Sequence, residues 1–158
     1  MTAAEMKRVH DAHVAAENRR DAAAAAATCH PEGFIENVAL GVCFEGHAQI
    51  AAQYAALFHA FPDAEMVQEG EAFGTDVLVA WGVFRGTMRG PFLGVAPTGR
   101  RIAIPFVNVV PFRDGLMQGE RAYFDIATLC AQAGLALEDL RAGGRSLPRC
   151  VDSPAPAA

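Results

Sequence analysis

Asp125 and Asn108 are the two side chains whose setting in the sequence most suggests chemistry. Asp125 stands where an apolar strand pattern gives way to a helical one, and period two puts Tyr123 and Arg121 on its face of the strand. A carboxylate turned into a pocket walled by aromatic rings loses hydration, so its pKa rises. It can then take a proton α to a carbonyl and return one to the product alkoxide. The same position also fits the N-cap of a helix starting at Ile126, where backbone N–H groups would lower the pKa and blunt the base. Asn108 lies in Phe106-Val107-Asn108-Val109-Val110, a strand otherwise apolar, so its amide needs a partner. A ligand can be that partner: with Phe106, Val110 and Phe112 on the same face, the amide can donate to a ketone or enolate oxygen held beside the rings. A bond to a neighbouring strand or bulge is the other reading of this residue.

Other candidates carry less. His10, His13 and Glu17 are spaced three and four residues apart on one helical pattern, which can gather metal ligands. No matching ligand pair follows in the sequence, and Lys7, Arg8, Asp11 and Glu17 read as a solvated face, so no metal is expected. Trp81, in a Val-rich strand, belongs either to the core or to the wall of a cavity for flat ligands. Arg85 and Arg89 share a strand face and either protect a sheet edge or hold an acidic group. Gly94 to Gly99 matches neither a phosphate loop nor a dinucleotide fingerprint, no G-x-S-x-G elbow occurs, and no cysteine has a nucleophile motif. No cofactor is expected.

Composition sets the outer bounds. The chain of 158 residues carries 13 Lys+Arg against 18 Asp+Glu, a net charge of -5, so it lacks the overall positive field that nucleic-acid binding exploits. Apolar residues make up 52%, enough for a core, yet no run approaches the roughly 18 uninterrupted apolar residues of a membrane span. Met1 to Arg20 alternates charge with alanine and has no apolar signal segment, so a cytoplasmic protein without membrane or nucleic-acid partners is expected. Cys29, Cys43, Cys130 and Cys150 are scattered, without a C-x-x-C pair, and read as reduced thiols.

The elements that must position these residues follow from periodicity. Helical spacing runs from Ala3 to Arg20, with Met6, Val9, His13 and Ala16 as its stripe. Asp21 caps an alanine helix that ends before Pro31, and a third helix starts near Gly46 and ends before Pro62, with Ile50, Tyr54, Leu57, Phe58 and Phe61 on one face. Period two then predicts four strands: Ala64 to Ala72, Val77 to Arg89, Arg100 to Phe112 and Leu116 to Phe124. Asp114-Gly115 is a tight-turn signal, and Gly74-Thr75-Asp76 marks a similar turn. Helical spacing returns from Ile126 to Ala133, with Gly134 as its closing glycine and a further turn over Leu135 to Arg141. Helices followed by long strands predict an α+β domain over residues 1–142, helices on one face of a curved, mainly antiparallel sheet, and a flexible tail over 143–158. A curved sheet of this kind forms a cone whose open end is a small-molecule cavity.

Within this pattern the segments His30-Pro31-Glu32, Phe61-Pro62-Asp63, and Gly94-Val95-Ala96-Pro97-Thr98-Gly99-Arg100 come in a distinctive order. They are followed by Phe112-Arg113-Asp114-Gly115, Glu120-Arg121-Ala122-Tyr123-Phe124-Asp125 and Leu129-Cys130-Ala131-Gln132-Ala133-Gly134. From about Ala3 to Leu135 the chain resembles the SnoaL-like polyketide cyclases, or ester cyclases, of the nuclear transport factor 2-like superfamily. The resemblance implies a cone-shaped fold, cofactor-free ring closure by intramolecular aldol condensation, and Asp125 at the family's acid/base aspartate. It implies further that His30, Phe34 and Glu36 border the cavity mouth, and that sheets pair into homodimers. Where the active cyclases place a histidine on the preceding strand this chain has Asn108, which donates a hydrogen bond but shuttles no proton.

The function expected from the sequence is therefore a cyclase or isomerase acting on a hydrophobic, carbonyl-bearing, polyketide-like small molecule. Its catalytic residues would be Asp125 and Asn108, with His30, Phe34, Glu36, Trp81, Phe106, Val110 and Tyr123 binding substrate. The alternatives are a non-catalytic binding or assembly module of the same fold, or a hydrolase or hydroxylase-like relative.

Overall fold

Thr2 and Glu5 open the chain with a reciprocal capping box, which satisfies the free N–H groups at the start of α1 (Ala3–Asn18). The inward stripe of α1 carries Met6, His10, His13, Ala16 and Glu17, so polar groups occupy positions that an ordinary surface helix fills with apolar ones. Asp21 accepts from Ala24 N and starts α2 (Ala22–Ala27), whose small side chains allow close packing between its neighbours. The computed structural model describes residues 1–149.

The chain continues through β1 (Cys29–Asn37), β2 (Val42–Glu45), α3 (Gly46–Ala60), β3 (Glu65–Gly74), β4 (Val77–Thr87), β5 (Arg101–Arg113) and β6 (Leu116–Phe124). It ends with α4 (Ile126–Ala133) and α5 (Leu137–Gly144). The strands form a six-stranded sheet in the order β2-β1-β6-β5-β4-β3. Its pairings are antiparallel except that β1 runs parallel to β6. This is the cone-shaped, mainly antiparallel α+β fold, with helices packed on one face.

The four long strands and both turns follow the periodicity of the sequence. Asp114 and Gly115 have φ of 52° and 83°, the left-handed pair that a two-residue hairpin requires between β5 and β6. Strands β1 and β2 were not foreseen: Pro31 and Gly33 break the period of β1, whose register against β6 shifts between Cys29 and Phe34. Gly134, at φ 70°, closes α4 as expected.

The boundary expected at residue 142 falls inside α5. Gly143 lies so close to the Leu93 carbonyl that a Cβ would sit 1.7 Å from its oxygen. Beyond it, Cys43 N donates to Pro148 O at 2.8 Å and Arg149 donates to Gly41 O at 2.7 Å, so residues 143–149 are bound to the domain. Residues 150–158 of the expected tail lie outside the described residues. The cysteines also depart from the expectation of four reduced thiols: Cys29 and Cys130 are free and buried, whereas Cys43 is disulfide-bonded. Among the described residues no helix is long and apolar enough to cross a membrane.

Candidate active site

Burial alternates strictly along most of β5, so Ile102, Ile104, Phe106 and Asn108 all point inward. Cross-strand pairing sets Phe106 opposite Phe124 and Asn108 opposite Ala122, and the parallel register of β1 brings Ile35 beside Glu120. These inner residues and the facing helices enclose a cavity of about 110 Å³. Its walls include Phe44, Phe61, Phe84, Phe92, Phe106 and Phe124. Its polar lining is Glu17, Asn37, Gln53, Tyr54, Asn108 and Glu120.

The polar residues come from five separate elements, Asn37 from β1 and Gln53 with Tyr54 from α3 among them. Helix α1 brings in Glu17 beside His13, α3 brings in Tyr54, β5 brings in Asn108 and β6 brings in Glu120. His13 Nε2 lies 2.9 Å from the Tyr54 hydroxyl, 3.9 Å from Glu17 Oε1 and 4.0 Å from Glu120 Oε2. Glu17 and Glu120 are buried, and Glu120 Oε2 and Asn108 Oδ1 have no hydrogen-bond partner. Asn37 Oδ1 and Gln53 Oε1, also on the lining, are likewise unpartnered.

Burial controls the electrostatics. Loss of hydration pushes the Glu120 carboxyl up to about 7, opposed by a hydrogen bond from Asn108. Burial raises Glu17 well above the carboxylate range, and the nearby Glu120 charge raises it further, against a hydrogen bond with Tyr54. Burial also pushes His13 down to about 3, so the ring is neutral between the two acids. Two buried carboxyl groups whose charges oppose each other do not both ionise readily, and such a pair can act as acid and base near neutral pH.

This site corrects most of the sequence-based assignments. Asp125 does not line the cavity: its carboxylate accepts from Ala127 N at 2.9 Å and Thr128 Oγ1 at 2.5 Å, capping α4. The Thr128 hydroxyl and the Ala127 N–H hold its pKa below the usual value, the opposite of a buried base. Trp81 and Tyr123 lie on the outer face of the sheet, about 40% and 43% exposed, with Trp81 laid over Gly70. Phe34 is also on the outer face, packed over Gly119 with the Arg121 guanidinium 4.8 Å from its ring centre. Glu36 accepts from Arg121 Nε at 3.0 Å on that face. His30 sits at the β5–β6 hairpin, where Arg113 donates to its Nδ1 at 2.8 Å. Val110 is fully buried in the core with Leu78 and Met117 and is not part of the lining. Of the nine, Asn108 and Phe106 are brought together on the cavity.

Sequence reasoning missed Glu17 and Glu120. The signal for Glu17 was its place on the Met6, His10, His13 stripe, and for Glu120 it was period two with Ala122 and Phe124. The His10, His13, Glu17 spacing turns three side chains inward, and among the described residues no cluster of three or more His, Cys, Asp or Glu could hold a metal ion.

The SnoaL-like polyketide cyclase family matches residues 7–133, and the chain belongs to it. Similar solved structures include TsrD from Streptomyces laurentii, 24% identical, with a TM-score of 0.76 over 86% of this chain and 99% of that one. A protein of Jannaschia sp. CCS1 described as SnoaL-like is 23% identical, with a TM-score of 0.75 over 84% of this chain and 94% of its own. A protein of ketosteroid isomerase-like fold from Catenulispora acidiphila, in complex with trimethylamine, is 20% identical. Its TM-score is 0.72 over 82% of this chain and 95% of its own. At these identities the likeness shows the fold. No protein of curated function matches.

Proposed function

We propose that the chain is an acid/base enzyme, a cyclase or isomerase of a hydrophobic, carbonyl-bearing small molecule, with Glu17 and Glu120 in the role expected of Asp125. The observation that carries this reading is the convergence of two buried carboxyl groups and the Asn108 amide in an otherwise aromatic cavity. One carboxylate takes a proton from the carbon next to the substrate carbonyl, and the electron pair moves onto the carbonyl oxygen as an enolate. An Asn108 N–H is suited to stabilise that oxygen, because a fixed amide in a dry site acts where charge develops. In a cyclisation the enolate carbon attacks a second carbonyl of the same molecule, and the protonated carboxyl neutralises the alkoxide formed. In an isomerisation the proton returns to a different carbon. Either outcome uses only the chain's own proton-moving groups.

The test is a screen of aromatic polyketide esters and polycyclic ketones against the wild type, Glu120→Gln and Asp125→Asn, with binding and conversion both read. Conversion by the wild type and Asp125→Asn but not by Glu120→Gln supports the reading. Binding without conversion by any of the three means a binding module.

The apolar outer face of the sheet supports a second copy of this chain as partner. Cross-strand pairing sets Trp81 beside Val107 and Val107 beside Tyr123, so three large half-exposed side chains form one row across β4, β5 and β6. A contiguous patch of this kind is what a dimer interface covers.

A further inference from the structure

Glu17 and Glu120 are 6% and 5% exposed, and among the described residues no Lys or Arg side chain lines their cavity. A buried carboxylate is costly unless a cation is paired with it. His13 approaches both acids, but its own burial keeps it neutral and it supplies no charge. We propose that the cavity is a binding site for a small alkylammonium ion, its N–H groups directed to Glu120, Asn108 and Asn37 and its alkyl part to the phenylalanine rings. This goes beyond the acid/base reading, because the cation is held whether or not the two carboxyl groups turn over a substrate.

Hydrogen bonding points the same way as charge. Asn108 is 4% exposed, and the buried lining atoms without a partner are Asn108 Oδ1, Asn37 Oδ1, Gln53 Oε1 and Glu120 Oε2. All four are acceptors, so a ligand that completes them must donate. A primary ammonium group brings three N–H donors together with its charge and has no acceptor to leave unpaired.

The strand register gathers these groups. Asn37 of β1 pairs with Ala122 of β6, and Ala122 pairs with Asn108 of β5, so the three form one row across the sheet with the smallest side chain in the middle. Glu120 stands next along β6 on the same side and lines the same cavity. A nitrogen over the Ala122 methyl therefore has an amide on either hand and a carboxyl beside it. Phe44, Phe84, Phe92, Phe106 and Phe124 wall this space, and the faces of such rings attract a cation. The cavity volume of about 110 Å³ limits the alkyl part. An apolar cavity of about 150 Å³ holds benzene, so this one suits an amine of about four or five heavy atoms.

The test is an NMR titration of the ¹⁵N-labelled chain with isobutylammonium chloride and, separately, with isobutanol, its uncharged counterpart of equal size. At about pH 8 the amine keeps its proton, as a lysine does. Saturable shifts at the side-chain amides of Asn37, Gln53 and Asn108 are expected, with the ammonium ion bound about tenfold or more tighter than the alcohol. Glu120→Gln should bring the two affinities together. Equal affinities in the wild type, shifts confined to surface residues, or no saturable shift with the ammonium ion overturn the proposal. A second measurement needs no substitution: calorimetry of the wild type with the ammonium ion near pH 7, in two buffers of different ionisation enthalpy. A cation settling beside Glu120 displaces the proton held there, so release of about half a proton or more is expected. Binding without proton release overturns the assignment. His13 on α1 stays neutral in this range, as do Tyr54 on α3, pushed far up by burial, and the Cys29 thiol on β1, pushed up to about 12, so the proton comes from the Glu17 and Glu120 pair. Neither measurement involves turnover, so a protein that converts no carbonyl substrate loses the enzymatic reading and keeps the cation site.

Discussion

Glu120 lets chemistry and stability be tested on one atom group. If it is the base, Glu120→Gln lowers turnover by about 10²–10⁴-fold while substrate binding persists. Its pKa is about 7 in the folded protein against 4.5 for an ordinary glutamate, so the native state holds an extra proton between those values. The stability this adds is complete below the unfolded value and is lost as pH rises through the folded one. Thermal unfolding is therefore expected to occur at lower temperature at about pH 8 than at about pH 5, and Glu120→Gln should flatten the fall. A wild-type profile that rises across this range would contradict a buried, proton-holding Glu120. Asp125 has the opposite sign: its depressed pKa contributes stability above the usual carboxylate range that is lost in acid. Asp125→Ala should lower the melting temperature modestly, by removing the cap of α4, and leave turnover intact.

The elements explain why some of the site was legible and some was not. Period two placed β5 correctly, and with it Asn108 and Phe106, because a strand in a half-buried sheet writes its facing in alternate residues. The same rule failed at Trp81 and Tyr123, and the resemblance failed at Phe34: these aromatic residues sit on the outer face over Gly70 and Gly119 or along the exposed row. Alternation says which residues share a face, and it is silent on which face is inside. Glu17 was illegible for another reason: a titratable residue on a helix reads as solvated until a tertiary partner is known. That partner arrives through the docking of α1, whose last residue Asn18 accepts from Met66 N at 2.8 Å and donates to Met66 O at 3.1 Å. Asn18→Ala should destabilise the fold by about 1–3 kcal/mol in denaturant unfolding. Hydrogen exchange should quicken at the C-terminal turn of α1 and on β3, and turnover should fall less than in Glu17→Gln. Unchanged exchange there would mean that the helix is held in place by its apolar contacts alone.

At the scale of the whole molecule, the two sides of the sheet divide the work. The inner side encloses the cavity, and the outer side presents the Trp81, Val107 and Tyr123 row. Light scattering on the purified protein is expected to give the mass of a dimer, and Val107→Glu, which puts a charge in the middle of the row, should give a monomer that still binds cavity ligands. A wild-type monomer would leave the row without a self-partner. The position of β6 between β1 and β5 has a different consequence, one that concerns how the protein comes into being. Glu17 leaves the ribosome early and Glu120 late, and the strand carrying Glu120 is the one that joins the β2-β1 pair to the β5-β4-β3 group. Until β6 is synthesised, both groups expose open edges and the cavity is incomplete. Nascent chains stalled before residue 116 should therefore be open to proteases and prone to edge pairing, and the closing of the sheet and the birth of the acid pair should be a single late event.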